Sequence, residues 1–122
     1  ASIWIGGVDD PHKFRCDSLE DALADAPADV FKLLLAHSPE LIEEAAARAV
    51  DLYLCGHTHG GQIRLPFFGT FYANARCEPQ YAGGVWRYGA MQGCTTWGIG
   101  VTDLPVRYCC PAEALLITLK RG

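Results

Sequence analysis

Three of the four histidines in this 122-residue sequence stand directly behind runs that read as strands. His37 closes Leu33-Leu34-Leu35-Ala36, and His57 and His59 follow Leu52-Tyr53-Leu54-Cys55 after a single glycine. Neutral imidazole is the commonest neutral metal ligand and accepts Zn, Mn, Fe or Ni. Ligands of open α/β sheets bind beyond the carboxyl ends of the strands. Parallel neighbours lie about 4.8 Å apart, so if the two runs are adjacent and parallel, His37 comes within reach of His57 and His59. Gly56 lets the chain turn out of its strand, and Gly60 and Gly61 free the backbone for positive φ and close approach to a ligand. A hydrogen-bonded packing role is the competing reading, stronger for His37 alone than for the pair His57/His59. His12, between Pro11 and Lys13, reads as an exposed turn residue.

The elements that must position these side chains are legible around them. A short strand is expected over residues 2–5, broken by Gly6-Gly7, with turn chemistry from Val8 to Pro11. Ser18 with Glu20 and Asp21 in the first turn predicts a helix start, and Pro27 predicts its end. Residues 30–36 have the apolar character of a buried strand. Ser38-Pro39 reads as a cap followed by proline at the first helical position, with the helix running to residue 49. Leu41, Ile42, Ala45 and Ala49 would then form the face that packs on a sheet. Residues 51–55 give the next strand. Beyond Gln62 only short β-like runs appear, at 63–65, 84–88, 94–97, 106–108 and 113–120. The expected class is therefore α/β, with two helices early, a β-rich second half and one domain over residues 1–122.

Composition narrows the function classes. Half of the residues are hydrophobic, a fifth are charged and the net charge is −4, which suits a chain with a real core and gives no basic surface for nucleic acid. No apolar run reaches the roughly 18 residues of a membrane helix, and residues 1–5 show no basic-then-apolar leader pattern. Six cysteines occur, at Cys16, Cys55, Cys77, Cys94, Cys109 and Cys110. Their spacing suggests neither a disulfide framework nor a zinc site, since there is no C-x-x-C pair, and small buried side chains are the expectation. The aromatic segment 65–72, with Phe67, Phe68, Phe71 and Tyr72, reads as core packing or a partner interface before it reads as an acyl- or membrane-facing surface.

Leu35-Ala36-His37-Ser38-Pro39 followed by Gly56-His57-Thr58-His59-Gly60-Gly61-Gln62 resembles the calcineurin-like metallophosphoesterases. With Gly7-Val8-Asp9-Asp10 before it and residues 98–107 after it, the pattern is similar to a branch holding bacterial membrane-associated phosphodiesterases, some of them similar to UDP-2,3-diacylglucosamine pyrophosphatases. The resemblance runs over essentially the whole chain. It implies the C-terminal half of an α/β/β/α sandwich, two divalent metal ions (Mn, Zn, Fe or Ni) and hydrolysis of a phosphate ester. By resemblance, His37 and His57 would bind one metal and His59 the other, with Cys55 a core residue. Asp10-Pro11-His12 has the letters of the family's Asp-x-His, but with Gly7-Val8-Asp9 before it the segment matches the family's Gly-x-Asp-Asp turn instead; the Gly-Asp-x-x-Asp and Gly-Asn-His-Asp/Glu motifs do not occur in this sequence. The expectation is thus a phosphodiesterase portion that is incomplete alone, completed by an N-terminal half. The alternative is a non-catalytic metal-binding module that self-associates or pairs with such a partner. The expected place is the cytoplasm or the cytoplasmic face of a membrane, with no nucleic-acid partner.

Overall fold

Parallel strand pairing sets the frame on which the histidines sit. The computed structural model describes residues 2–13, 18–70, 73–102 and 104–120. In chain order its strands are β1 (Ile3–Gly7), β2 (Phe31–Leu35), β3 (Leu52–Cys55), β4 (Arg64–Leu65), β5 (Gly69–Thr70), β6 (Gly84–Tyr88) and β7 (Met91–Thr95). The α-helices are α1 (Leu19–Leu23) and α2 (Ile42–Ala47), and short 3-10 turns occupy Pro39–Leu41, His59–Gly61 and Pro79–Tyr81. Five strands form one sheet in the order β1-β2-β3-β7-β6, parallel throughout except for the β6–β7 hairpin; β4 and β5 form a separate antiparallel pair. This is the α/β class expected, with β2 and β3 parallel neighbours joined through α2.

Partners in a parallel register project to the same side of a sheet, so the register alone sorts the two faces. Trp4, Leu34, Tyr53, Thr95 and Trp86 fall on the face that α1 and α2 cover, where Leu34 and Tyr53 are fully buried with Ile42 and Ala45 of α2. Thr95 links this core internally: its hydroxyl accepts from Trp86 Nε1 at 2.9 Å and donates to the Tyr81 carbonyl at 2.7 Å. A satisfied buried hydroxyl avoids the roughly 1–3 kcal/mol desolvation cost of an orphaned one. Ile3, Ile5, Phe31 and Leu35 share the opposite face and are exposed, Ile5 to 64%.

Several boundaries differ from expectation for physical reasons. Gly6 and Gly7 do not break β1 but belong to it. A Cβ on Gly6 would lie 3.2 Å from the Ala22 carbonyl, so glycine permits α1 to approach, and Trp4 Nε1 donates to that same carbonyl. Ser18 caps α1 as expected, accepting from the Asp21 N–H at 3.2 Å. Ser38 sits at the head of the Pro39 turn without capping it; its carbonyl instead accepts from the Tyr53 hydroxyl. Ala49 leaves the predicted helical face. It takes φ 55° behind α2, with Val50 N–H bonded to the Ala45 carbonyl and Ala49 N–H to the Ala46 carbonyl. These are the paired bonds of a Schellman stop, whose left-handed position glycine usually fills.

The second half is β-rich but shifted. The strand expected at 94–97 forms at Met91–Thr95, and of residues 106–108 only Tyr108 makes a bridge, to Ile63. Residues 113–120 form no strand: the segment lies against one face of the sheet rather than beside its edge strands β1 and β6. It is tied instead at Glu113, whose N–H donates to the Gly98 carbonyl, and lies over Leu54 and Cys94 with Leu115 and Ile117 lining a cavity of about 370 Å³. Phe67 and Phe68 are exposed rather than packed in the core; Phe71 and Tyr72, like Cys16, lie outside the described residues. The five described cysteines are free thiols.

Two substitutions probe this packing. Ala49→Gly relieves the left-handed strain and is expected to raise stability by about 0.5–1 kcal/mol, read from the urea midpoint. Gly93→Ala places a methyl within 2.3 Å of the Trp86 ring and is expected to lower stability by about 1–3 kcal/mol; an unchanged midpoint would contradict the packing of Trp86 across β7.

Candidate functional site

The pairing of β2 with β3 continues past both strands. Ala36 N–H donates to the Leu54 carbonyl and Gly56 N–H to the His37 carbonyl, each at 3.1 Å. The backbone of His37 is thereby held beside Gly56, one residue from His57. The two imidazoles meet: His37 Nε2 lies 2.9 Å from His57 Nδ1, with ring centroids 4.6 Å apart. His57 Nε2 sits 2.7 Å from the Asn74 carbonyl. A carbonyl only accepts, so Nε2 of His57 carries the proton and Nδ1 presents a lone pair. His37 then donates to that lone pair through Nε2.

The loop that delivers these side chains is strained. His57 and His59 both take left-handed backbone, with φ 69° and 50°, a conformation that costs a non-glycine residue about 1–2 kcal/mol and that clusters at functional sites. Thr58 holds the loop between them, its buried hydroxyl donating to the Ala82 carbonyl at 2.7 Å and accepting from the Gly60 N–H. Gly60, at φ 61°, lies so close to the Trp97 ring and Cys110 Sγ that a Cβ would fall within 2.9 Å of them. Gln62 closes the loop, donating to the Leu104 carbonyl and accepting from the Thr102 N–H. His59 makes its contacts on this side, with Nδ1 3.2 Å from the Gly100 carbonyl. The structure thus brings His37 to His57, while His59 engages the 97–110 segment.

His12 was expected to be an exposed turn residue and is half-buried instead. Its ring packs on His57 with centroids 4.4 Å apart, and its Nδ1 contacts Glu40 Oε1. The signal lay in topology: β1 runs parallel beside β2, so residues that follow β1 land beside those that follow β2. Asp10 fixes this turn by accepting from the His12 and Lys13 N–H groups. Burial works to raise the Asp10 carboxyl, but those two N–H bonds and the nearby His37 and His57 outweigh it and hold it below its ordinary value. Glu40 is likewise held low: desolvation opposes, while the Arg76 N–H and His12 prevail.

Burial is the largest cause pushing His57 below the usual histidine value, joined by the like charge of His37 and His12 and opposed by the bond to Asn74. His57 is therefore neutral near pH 7, the form that binds a cation. Two nitrogen donors on one tetrahedral zinc at about 2.0–2.1 Å lie about 3.4 Å apart, so the hydrogen-bonded His37/His57 pair, at 2.9 Å, needs only a small opening to admit one ion. Among the described residues no group of three or more His, Cys, Asp or Glu is arranged to hold a metal. Cys55 is not available as a thiolate: burial pushes its thiol up to about 12, although contact with the Thr95 hydroxyl partly opposes this.

Parallel strands that end in a histidine pair, with the Gly-His-Thr-His-Gly-Gly loop crossing those ends, define a class, and sequence comparison agrees: the chain belongs to the metallophosphoesterase family. It is 35% identical over 120 residues to the uncharacterized metallophosphoesterase YkuE of Bacillus subtilis, which covers 98% of this chain and 41% of that protein. It is 36% identical over 92 residues to phosphodiesterase YaeI of Escherichia coli, covering 75% of this chain and 33% of that one. The chain thus spans less than half the length of these relatives. No family model and no solved structure matches it.

The depressed His57 value fixes the sign of a pH effect. Between the folded and unfolded values the unfolded chain binds more protons, so stability is lost as pH falls below about 6.5. A urea-midpoint series from pH 8 to pH 5 in the metal-free protein should fall, and the fall should shrink in His57→Gln. An identical slope in that variant would mean that His57 is not the group responsible.

Proposed function

We propose that this chain supplies the histidine ligands of a divalent-metal phosphoesterase, acting on a phosphodiester, within one partial domain over residues 1–122. The observation that carries the reading is the 2.9 Å approach of His37 Nε2 to the bare Nδ1 of His57, whose proton is held at Nε2 by the Asn74 carbonyl. His37 and His57 serve one ion, and His59, on the opposite wall of the loop, serves a second. Imidazole donors suit Mn, Zn, Fe or Ni. Such ions supply Lewis-acid polarisation of a phosphate ester and make a bound water more acidic. The chain's own contribution is to orient three rings and to hold the proton of His57 on Nε2; His37 Nε2, which donates to His57 Nδ1 in the absence of an ion, gives up that proton to ligate. The Gly-Asp-x-x-Asp and Gly-Asn-His-Asp/Glu motifs of the family do not occur in this sequence, and Asp10-Pro11-His12 reads as part of its Gly-x-Asp-Asp turn, so turnover requires ligands from a further polypeptide segment, and the 122 residues alone bind metal weakly and turn over little.

A second reading is a non-catalytic metal-binding module that pairs with another chain or another copy. The apolar sheet face with exposed Ile3, Ile5, Phe31 and Leu35 favours it, since such a surface is unusual without a cover.

Hydrolysis of bis-p-nitrophenyl phosphate with added Mn²⁺ separates the two. For the full-length protein we expect turnover that drops by at least about 100-fold in His57→Ala, at the upper end of what loss of an outer ligand partner produces. Metal binding that depends on His37 and His57 with no turnover at all would favour the module. Binding unaffected by either substitution would sink both readings.

A further inference from the structure

The Arg107 guanidinium is surrounded by main-chain carbonyls. Nε donates to Gly100 at 3.0 Å, Nη1 to Cys110 at 3.3 Å, and Nη2 to Trp97 at 2.7 Å, to Gly98 at 3.1 Å and to Gly100. Four carbonyls from two stretches of chain, 97–100 and Cys110, thus converge on one planar fork, a geometry that a lysine ammonium cannot reproduce. The same cluster grips His59 twice. The Gly100 carbonyl lies 3.2 Å from its Nδ1, and the buried Cys110 thiol donates to its main-chain carbonyl at 3.2 Å.

Arg107 Nη2 also lies 3.5 Å from His59 Nδ1, which leaves two ways to place the ring proton. Nη2 has two hydrogens and three carbonyl oxygens nearer than the ring. It has none left for the imidazole, so Nδ1 must itself be the donor, to Gly100.

We propose that Arg107 is a positioning residue for His59: by drawing the Gly100 carbonyl against the ring it fixes the proton on Nδ1 and leaves Nε2 as the donor atom. The role acts on orientation and tautomer, as outer partners of ligating histidines do. It rests on the reading of His59 as a ligand for its use, but not for its test.

Long-range 15N–1H correlation spectra of the full-length, metal-free protein near pH 8, where an ordinary imidazole is neutral, read the tautomer directly. Wild type should show His59 protonated on Nδ1 and His57 on Nε2. In Arg107→Gln and Arg107→Lys the His59 pattern should move to a mixture or to the Nε2 proton, while His57, held by Asn74, keeps its own. A retained His57 pattern shows that the variant is folded. A wild-type His59 carrying its proton on Nε2 overturns the proposal without any variant, and so does an unaltered Nδ1 proton in folded Arg107→Gln. Zn²⁺ affinity should also fall about 10–100-fold in both variants. Absence of Zn²⁺ binding in wild type would instead refute the ligand assignment, leaving the ring spectra to decide the role of Arg107.

Discussion

The hydrogen bond from the Gly56 N–H to the His37 carbonyl is where the sheet becomes a site. Up to that point β2 and β3 are ordinary parallel strands, paired because each is apolar on both faces and each can bury one face under α2. One further rung of the ladder extends the pairing into the loops and holds the two histidine-bearing segments side by side. The approach of the two rings is a consequence of register. A shift of one residue would move every side chain of the strand to the other face and separate them.

That register is in turn held from the helix side. Tyr53 crosses under the site to bond the Ser38 carbonyl, directly behind His37, while Thr95 ties β7 to Trp86 and Tyr81. Gly93 permits Trp86 to lie flat across β7. The core and the site are therefore one mechanical unit: the residues that bury apolar area on the helix face also fix where the strands end. The other face of the sheet has no comparable layer among the described residues, and the 113–120 segment covers only the part near Leu54 and Cys94.

The glycine-rich loop is held between two walls. On one side His57 meets His37, His12 and the Asn74 carbonyl. On the other, Gly60 lies against Trp97 and Cys110, Gln62 bonds residues 102 and 104, and His59 faces Gly100 and Arg107. The left-handed backbone at His57 and His59 turns the two rings toward different walls, and contacts on both sides sustain that strain. Two sequence segments that read as separate motifs, residues 56–62 and 98–107, thus form one structure.

The sequence by itself determined the class and the histidines to examine. Apolar runs at 30–36 and 51–55 bracketing an amphipathic helix dictate parallel neighbours, and a Gly-His-Thr-His-Gly-Gly loop at a strand end has few packing explanations. Ser18 and Pro39 act locally, so their roles were legible. Tertiary structure alone decided the rest, because those outcomes depend on what lies opposite each residue. His12 joins the cluster since β1 runs beside β2. Gly6 stays in a strand since a helix needs its missing side chain. Residues 113–120 read as a strand but pack over Leu54 and Cys94 on the sheet face instead of pairing along an edge. Arg107 acquires its role because the carbonyls of Trp97, Gly98, Gly100 and Cys110 converge on it beside the His59 ring. Periodicity and spacing record what a residue prefers; the neighbours that satisfy or frustrate that preference exist only after the chain has folded.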